Sequence, residues 1–432
     1  MNSSAAFASG PAFRRAHKCV HASLIQASDM PMYAFVASLP FERIGASGVE
    51  GMTLTISRVL GYLWIATCLL SPQVSLKRVH RVVAAMALFV LAFFTRSLLI
   101  ESAMWPAATR YTLMLLQMTG MVWLLTNTVG ARPRLYESIA WVFGTACATL
   151  ALLQALGLTQ IELQAERGRV SMFFEDPNTL SGKLAIGLVL LIGLTWNRAR
   201  FAAWVVLAVG LPTVTLTILS TGSRGGLVAL LAGLVVLALP TVMTGRGLSR
   251  VKHVILMISI TGMLIYGITT NNIVTERWSR TFRAGDFSRR ELLYPRAVEM
   301  IIRKPMLGWG PMQNYSALAE GLGMSGGSSS TENTFIWALT AVGFLGASPF
   351  LFIIYLAGRS AWSLRRTMLG WTPIAALVST VVFSCTIEWQ HNKVYWLILA
   401  MTVAAAQGRR REGMAVRISL RHAPTGGRLP ER

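Results

Sequence analysis

The 432-residue chain is 53% hydrophobic and only 13% charged, and its mean hydropathy is +0.53. Apolar runs long enough to cross a bilayer, about 20 residues each, recur along it and exclude an ordinary soluble protein. The runs are continuous rather than alternating, which excludes a β-barrel. The formal charge of +22 does not indicate nucleic-acid binding, because much of the excess lies in loops and tails beside apolar runs. We therefore predict an all-α polytopic membrane protein and expect no nucleic-acid partner.

Eleven apolar runs are predicted to be membrane-spanning helices. They are residues 52–71, 80–101, 109–128, 137–157, 180–196, 201–220, 224–243, 253–270, 333–358, 371–388 and 393–407. Basic residues mark alternate connections as cytoplasmic, as the positive-inside rule expects. These residues are Lys77, Arg78 and Arg81; Arg132 and Arg134; Arg198 and Arg200; Arg246, Arg250 and Lys252; Arg359, Arg365 and Arg366; and Arg409, Arg410 and Arg411. The polar segment 271–332 then lies on the outer side.

The N-terminus requires one further crossing. Span 52–71 begins outside in this topology, whereas the basic segment 14–18 favours a cytoplasmic start. Residues 22–40 are the candidate for an additional span, which gives about twelve spans with both ends cytoplasmic. Alternatively, residues 1–29 are a disordered extension and the true start lies near residue 30.

The predicted organisation has five parts. They are a cytoplasmic N-terminal extension (1–21), spans one to nine (22–270), a large outer loop (271–332), spans ten to twelve (333–407) and a basic cytoplasmic tail (408–432). The composition of the tail, basic with proline and glycine, predicts disorder from Gln407 onward.

Ionisable residues gather towards the outer ends of the predicted spans. Such groups are costly in a bilayer and usually have a partner or a function. Arg169 precedes span 180–196, and Lys183 lies about one turn into that span. Arg224 follows span 201–220, in STGSRGG. Each alone can be an interfacial side chain that extends to water. Together they oppose the positive-inside tendency, and a bound anion would explain them.

The outer loop contains a predicted basic helix within SRRELLYPRAVEMIIRKPMLGWG, residues 288–310. Ser288 and Glu291 predict a capping box at its start, and Pro295 either kinks the helix or occupies its first position. Arginines recur every seven residues and would share one face. They are Arg289, Arg296 and Arg303. Glu299 is within pairing distance of the last two of them. Such a face favours phosphate, because guanidinium groups bind phosphate oxygens in pairs; the alternative is a solvated helix beside lipid headgroups.

Four motifs in one order resemble the bacterial O-antigen ligase and O-antigen polymerase superfamily. They are SMFFEDPNTLSGKLA (171–185), ILSTGSRGGLVALLAG (218–233), RELLYPRAVEMIIRKPMLGWGPMQNY (290–315) and TENTFIWALTAVGFLG (331–346). The resemblance implies about twelve spans, a large periplasmic loop between late spans, and a bacterial inner-membrane location. It also implies a glycan carried on undecaprenyl pyrophosphate as the substrate.

The resemblance assigns three arginines by position. Arg290 resembles the family's loop arginine ahead of a Pro-x-x-Gly-x-Gly turn, here residues 305–310. Arg224 resembles its Ser-Arg-Gly arginine, and Arg169 the arginine ahead of a Pro-Asn pair. Ligases of the group usually carry a histidine immediately before the asparagine that opens the span after the loop, whereas this chain has Glu332 there. The substitution disfavours a ligase and favours a polymerase or an uncharacterised relative.

The implied reaction transfers a sugar from pyrophosphate to an acceptor hydroxyl. Arginines can stabilise the charge that develops on the leaving pyrophosphate, and a base must accept the proton of the hydroxyl. The predicted catalytic residues are Glu332, Arg290 and Arg224, and the predicted pyrophosphate-binding residues are Arg169, Lys183, Arg296 and Arg289. Glu332 could instead be a helix cap or the partner of an interfacial cation.

We predict polymerisation of lipid-linked repeat units, with an O-antigen ligase as the alternative. No metal, nucleotide or other cofactor is expected, since the chain has no metal-ligand spacing and no nucleotide fingerprint. The expected partners are the undecaprenyl-pyrophosphate-linked glycan, the lipid bilayer and a chain-length regulator. A transporter would also show twelve spans, but the halves show no repeat and the charge lies at the outer boundary rather than at mid-bilayer. A non-enzymatic scaffold would not need clustered arginines.

Overall fold

The computed structural model describes residues 29–42, 55–70, 78–159, 161–164, 169–172, 175–198, 201–244, 258–259, 262, 265–267, 269–270, 272–324 and 326–421. Most of these residues are helical. The first helices are α1 (Met30–Ser38), α2 (Ile56–Leu70), α3 (Arg81–Ser97), α4 (Trp105–Ala131), α5 (Leu135–Ala155), α6 (Pro177–Arg198), α7 (Phe201–Ser220) and α8 (Arg224–Thr244). They are followed by α9 (Asn272–Ala284), α10 (Arg290–Arg303), α11 (Gln313–Gly321), α12 (Thr334–Leu364), α13 (Thr372–Ser384) and α14 (Lys393–Arg421).

Five helices of the described part are long and apolar enough to cross a membrane. They are Ser102–Ala131, Leu135–Ala155, Pro177–Asn197, Phe201–Ser220 and Thr334–Leu364. Several such helices in one chain make this a multi-pass helical membrane protein. Ten of the eleven predicted spans coincide with helices, and the eleventh, 253–270, lies largely outside the described residues. The predicted N-terminal extension, 1–21, lies wholly outside them.

Helix α6 forms the centre of the bundle. It is mostly apolar, and 94% of its most apolar 18-residue stretch is buried inside the protein. This is expected of a helix that is surrounded by other helices. It packs against α5, α7, α8 and α13. A Cβ atom on Gly187 would lie 2.6 Å from the Cys147 sulfur on α5, so glycine is what lets these two helices approach closely. The buried part of α14 packs against α4 and α12 on the other side of the bundle.

The additional span predicted over residues 22–40 corresponds to the short helix α1. Asp29 precedes it, and an unpaired carboxylate would be costly in a span. Its carboxylate instead accepts two hydrogen bonds from the Arg132 guanidinium, at 2.6 and 2.8 Å, and is almost fully buried. Because Arg132 follows α4, the start of α1 and the end of α4 lie on the same side of the bundle.

A small hairpin corrects the all-α prediction. Strands β1 (Ile161–Gln164) and β2 (Arg169–Met172) pair antiparallel between α5 and α6, with Ile161 opposite Met172 and Gln164 opposite Arg169. Alternating apolar and polar residues suit a short strand pair, which the search for continuous apolar runs does not detect.

Two features of the late helices also differ from the prediction. Helix α12 is interrupted at Gly343, whose φ of 65° and ψ of −173° are not helical. Helix α14 continues to Arg421, so the disorder predicted from Gln407 is wrong for that part of the tail. Arg409 and Glu412 face each other one turn apart at 3.6 Å, and no proline interrupts the helix before its end, which explains the continuation.

The segment predicted as the outer loop folds into α9, α10 and α11. Helices α10 and α11 share a small core that is separate from the core of the bundle, whereas α9 packs on the bundle core through Val274 and Trp278. The buried members of the small core are Leu293, Ala297, Met300 and Leu318. The core fixes α10 against α11, and α10 also packs on α12. Residues of the loop are therefore held in defined positions above the bundle.

Candidate active site

The start of α10 is set by a tight turn rather than by the predicted capping box. Ser288 and Arg289 have φ values of 61° and 68°, so two successive residues adopt the left-handed conformation before the helix begins at Arg290. Asp286 stabilises the turn, since its Oδ1 accepts a hydrogen bond from the Ser288 amide at 2.7 Å. Glu291 accepts from the Phe287 amide at 3.1 Å. The Ser288 hydroxyl does not cap α10, because it accepts a hydrogen bond from Arg224 instead.

The Arg290 side chain reaches across to the end of α13 and the start of α12. Its Nη2 donates to the Thr386 carbonyl at 2.6 Å and to Glu332 Oε2 at 3.2 Å. Its Nη1 donates to the Phe287 carbonyl at 3.3 Å. The Arg290 Nε is buried and has no hydrogen-bond acceptor among the described residues. One donor of this guanidinium is therefore not satisfied by the described part of the protein.

Arg224 lies at the start of α8 and contacts the turn that precedes α10. It donates to the Asp286 carbonyl at 2.8 Å and to the hydroxyls of Thr281 and Ser288. Its charge is close enough to that of Arg290 for the two to interact. Like charges placed together in a partly buried site are unfavourable unless an anion compensates them.

Two further arginines hold the turn that carries Arg224. Arg169 Nε donates to the Thr221 carbonyl at 2.8 Å, and its Nη2 donates to Asn178 Oδ1 at 2.9 Å. Arg277 Nη1 donates to the Gly222 carbonyl at 2.6 Å. Arg169 is almost fully buried, so it links the Pro-Asn motif to the STGSRGG turn from inside the protein.

Glu332 lies in the turn immediately before α12. Its φ of 51° is left-handed, and its amide donates to the Ser330 hydroxyl at 3.1 Å. Asn333, and not Glu332, caps α12, because Asn333 Oδ1 accepts from the amides of Phe335 and Ile336. The alternative interpretation of Glu332 as a helix cap is therefore wrong.

The Glu332 carboxyl experiences opposing influences. Burial raises its pKa above the ordinary value, while the Arg290 charge lowers it, the Asp176 charge raises it and the Arg169 charge lowers it. Burial prevails, so the net pKa is raised. A carboxyl of raised pKa beside a guanidinium is suited to accept a proton.

A second carboxylate supports this turn from behind. Glu388, between α13 and α14, accepts hydrogen bonds from both the amide and the hydroxyl of Thr331 at 2.6 Å. Its other oxygen accepts from the Tyr315 hydroxyl at 2.6 Å. Burial raises the pKa of Glu388, and these hydrogen bonds lower it in part. The Tyr294 hydroxyl, on α10, donates a hydrogen bond to the Cys385 carbonyl at 3.2 Å.

The turn of residues 305–310 docks onto the interruption in α12. Backbone bonds join Trp309 to Thr340 at 2.7 Å and Phe344 to Pro305 at 2.8 Å. A Cβ atom on Gly343 would lie 2.4 Å from the Met306 carbonyl, so no other residue fits without displacement of the backbone. This docking fixes the loop helices relative to α12 and hence Arg290 relative to Glu332.

Comparison with known families gives one match. Residues 210–351 match the family model described as O-antigen ligase. The resemblance is confirmed. No curated protein matches the chain. The matched residues, named here the O-antigen ligase segment, run from the middle of α7 into α12 and include Arg224, Arg290 and Glu332. A match of this kind indicates glycan processing by glycosyl transfer.

Within and around the O-antigen ligase segment, the structure brings together four of the predicted site residues. They are Glu332, Arg290, Arg224 and Arg169. Arg289 and Arg296 point away from this cluster. Arg289 precedes α10 in a left-handed conformation and contacts the Met324 sulfur, so it does not share a helical face with Arg296 and Arg303. Arg296 donates to the Gly321 carbonyl at 2.6 Å and pairs with Glu299, which also pairs with Arg303 as predicted.

Lys183 lies inside the bundle rather than at its surface. Its side chain is fully buried, and its ammonium donates to Glu175 Oε1 at 2.5 Å and to the Leu39 carbonyl at 3.1 Å. Glu42 lies 3.7 Å away. The charge expected to contact an anion is thus compensated by two carboxylates of the protein.

Sequence reasoning missed several residues of the site. Arg277, Tyr294, Tyr315 and Asp176 were not singled out, and Glu388 was assigned no function. The sequence does contain a signal for Glu388, because it is a glutamate at the end of an apolar run. Carboxylates within or beside a membrane usually have partners. The tyrosines carry no comparable signal, because aromatic residues are common at membrane interfaces.

Proposed function

We propose that this protein polymerises undecaprenyl-pyrophosphate-linked oligosaccharide repeat units into O-antigen or exopolysaccharide. The reaction takes place at the outer face of the bacterial inner membrane and needs no metal. The observation that carries the proposal is the contact of Arg290 with Glu332, made beside Arg224 within the O-antigen ligase segment. This contact combines a cationic site for a leaving anion with a carboxyl group that can accept a proton.

The proposed topology has about twelve spans, and residues 271–332 are periplasmic. The ion pair of Asp29 with Arg132 supports it, because it places the start of α1 on the side to which Arg132 is assigned, the cytoplasmic side. The charged residues of α9 and α10, four in the first and five in the second, further support a position outside the hydrocarbon core. A periplasmic loop puts Arg290 on the side where the lipid-linked glycan is used.

The arginines are suited to the pyrophosphate of the donor. Arg290 and Arg224 are close to each other, and Arg290 retains a buried Nε–H without an acceptor in the described residues. An anionic oxygen between them would satisfy that donor and compensate both charges. Because the arginines are held by carbonyl and hydroxyl groups, they are already oriented before the leaving group gains charge.

Glu332 is the proposed base. The acceptor hydroxyl oxygen forms a bond to the anomeric carbon of the donor glycan, and the bond from that carbon to the pyrophosphate oxygen breaks. The bonding electrons leave with undecaprenyl pyrophosphate, whose new charge the arginines stabilise. The hydroxyl proton passes to the Glu332 carboxylate. Energy comes from the donor bond, so no nucleotide is consumed.

A ligase is the second candidate, and the family description favours it. It would use the same donor and the same arginines, and would differ in the acceptor, which would be a lipid A core. Glu332, in the place where related ligases carry histidine, supports the polymerase instead. The acceptor is the point at which the two proposals separate.

The deciding experiment is the glycan phenotype of a strain lacking this protein, with the wild-type gene restored as the control. Loss of long polymer with a single repeat unit still attached to its acceptor supports the polymerase. Polymer that accumulates on its lipid carrier supports the ligase. Unchanged surface glycan in the deletion strain would overturn both.

A further inference from the structure

A polar cavity adjoins the turn that carries Glu332. It has a volume of about 620 Å³, within the range of sites that bind small molecules. Ser330, which accepts from the Glu332 amide, and Glu388, which accepts from the Thr331 amide, are part of its wall. Asp176, whose charge interacts with that of Glu332, lies in the wall as well. Arg290 and Arg224 do not line the cavity, so the cavity and the arginine cluster are separate spaces that both adjoin the Glu332 turn.

The lining of the cavity suits a glycan better than a phosphate. Four carboxylates and two tyrosines face it: Glu42, Glu175, Asp176, Glu388, Tyr111 and Tyr315. Carboxylates repel phosphate, but their oxygens accept hydrogen bonds from sugar hydroxyls in several directions. Protein donors already hold most of these carboxylates, including Lys183 on Glu175 and Lys393 on Glu42. They are therefore oriented and compensated in charge, with further lone pairs for a ligand.

An apolar groove of about 140 Å³ lies beside the cavity, between α2 and α4. Its wall includes Gly61, Tyr62, Ile65, Gly120 and Leu124. Tyr62 and Ile65 are also exposed on the outer surface of the bundle, which faces lipid in a membrane protein. Glycines at two wall positions leave room for a chain to lie against the helix backbone.

Arg58 connects the two spaces. It lines both the apolar groove and the polar cavity. The order along the protein is therefore an apolar groove, a guanidinium, a polar cavity and the Glu332 turn. A polyprenyl chain, its pyrophosphate and its glycan follow the same order in a lipid-linked glycan.

We infer that the groove, Arg58 and the cavity together bind the acceptor, and that this acceptor is a second lipid-pyrophosphate-linked glycan. Its lipid chain occupies the groove, its pyrophosphate contacts Arg58, and its terminal sugar hydroxyl reaches Glu332. The donor occupies the arginine cluster, which adjoins the same turn. This inference rests on the proposed function and adds a separate site for the second substrate.

Blocking the groove tests the inference. A Cβ atom on Gly120 would meet no atom within 4 Å, so Gly120→Leu fills the groove without a clash. Gly358 on α12 is equally open and lies outside the groove, which makes Gly358→Leu the matched control. The full-length protein is placed in phosphatidylethanolamine and phosphatidylglycerol vesicles with extracted lipid-linked repeat units as the only donor and acceptor. We expect polymer formation about tenfold slower for Gly120→Leu, the loss that displacing about two methylene groups from an apolar site produces.

A second pair of variants tests the cavity independently. Met114→Trp fills the cavity from α4, whereas Leu113→Trp places the same side chain on the exposed neighbouring position. Binding of undecaprenyl pyrophosphate, counted by native mass spectrometry, should fall from two molecules per wild-type protein to one for Gly120→Leu and one for Arg290→Ala. Met114→Trp should lose polymer but keep both lipids, because only the glycan is displaced.

The outcomes separate this inference from the proposed function. Polymer at control rates from both Gly120→Leu and Met114→Trp would overturn the acceptor site and leave the transfer reaction intact. Polymer at wild-type rates from both Arg290→Ala and Glu332→Gln would overturn the transfer reaction itself. If Gly120→Leu reaches the membrane poorly, the smaller Gly120→Ala and the comparison of Met114→Trp with Leu113→Trp still test the acceptor site. Thermal unfolding shows whether each variant is folded.

Discussion

Arg290 on α10 donates a hydrogen bond to Glu332 before α12 across 3.2 Å, although 42 residues separate them along the chain. The contact joins the loop helices to the bundle at one point. It also places a cation beside a carboxyl group whose pKa burial raises. A simple ion pair would lower that pKa, so here desolvation outweighs the attraction.

The first prediction concerns Glu332 as the base. Glu332→Gln keeps the shape and should fold, but it should reduce polymer formation to a residual rate because the amide cannot accept a proton. Glu332→His should retain some activity, because imidazole accepts a proton and related ligases carry histidine here. Glutamine and histidine both tolerate the left-handed turn about as well as glutamate. Polymer length on gels, at matched expression, is the measurement; full-length polymer from Glu332→Gln would exclude the catalytic role.

The second prediction is a pH dependence that follows from the raised pKa of Glu332. The base is active when it is deprotonated, so the rate should fall as the pH drops through a pKa above the ordinary glutamate value. This acidic limb should be absent from the residual rate of Glu332→Gln. Initial rates in vesicles across the pH range provide the test. An acidic limb that is the same in both proteins would belong to another group.

The third prediction compares arginine with lysine. Arg290→Lys and Arg224→Lys keep the charge but lose the planar fork that contacts several acceptors at once, so most activity should be lost. Arg303→Ala is the control, because its ion pair with Glu299 is exposed and screened by water and so contributes little. Glycan output should stay near the wild-type level for this control. Wild-type output from Arg290→Ala and Arg224→Ala, at normal protein levels, would contradict a catalytic function of both arginines.

The fourth prediction tests the docking of the 305–310 turn. Gly343→Ala forces a Cβ atom against the Met306 backbone in a conformation that glycine alone adopts readily. We expect destabilisation of at least about 1–3 kcal/mol and loss of polymer, since the loop helices lose their contact with α12. Gly323→Ala is the matched control, because its φ is also positive but its surroundings are open. Thermal unfolding in detergent and protease sensitivity of the loop measure the difference; equal effects would mean that backbone conformation alone matters.

The fifth prediction concerns the buried lysine. Lys183→Met leaves Glu175 without its main cation inside the protein, and removing one partner of a buried pair costs about 3–5 kcal/mol. We expect low thermal stability, with polymer formation per folded molecule largely retained. A variant that folds normally but makes no polymer would instead support the predicted contact of Lys183 with pyrophosphate.

Topology can be tested separately with reporter fusions. Fusions at residues 300 and 325 should report the outer side, and fusions at residues 248, 363 and 415 the cytoplasmic side, following the basic connections. A cytoplasmic signal at residue 300 would exclude the proposed reaction, because the donor glycan is used on the outer side.

Much of the fold could be predicted because each span is a local property of about 20 apolar residues. The runs 201–220 and 224–243 differ from the observed helices by one residue at most. The hairpin β1–β2, the interruption at Gly343 and the continuation of α14 were missed, because each depends on short-range polar pairing or on contact with another part of the chain. The capping box at Ser288 failed for the same reason, since Arg224 takes the hydroxyl that the local pattern assigned to the helix.

The sequence by itself determined the class of the protein, its helical spans and the motifs that resemble O-antigen ligases, because hydrophobicity and residue order are properties of the chain alone. Only the tertiary structure decided which charges meet. Arg289, Arg290 and Lys183 look alike in sequence, yet one faces the loop surface, one contacts Glu332 and one pairs with Glu175 in the interior. The reason is that burial and ion pairing depend on neighbours that other segments of the fold supply, 42 residues away for Glu332 beside Arg290 and 144 for the Leu39 carbonyl beside Lys183. A periodic pattern contains no information about such neighbours.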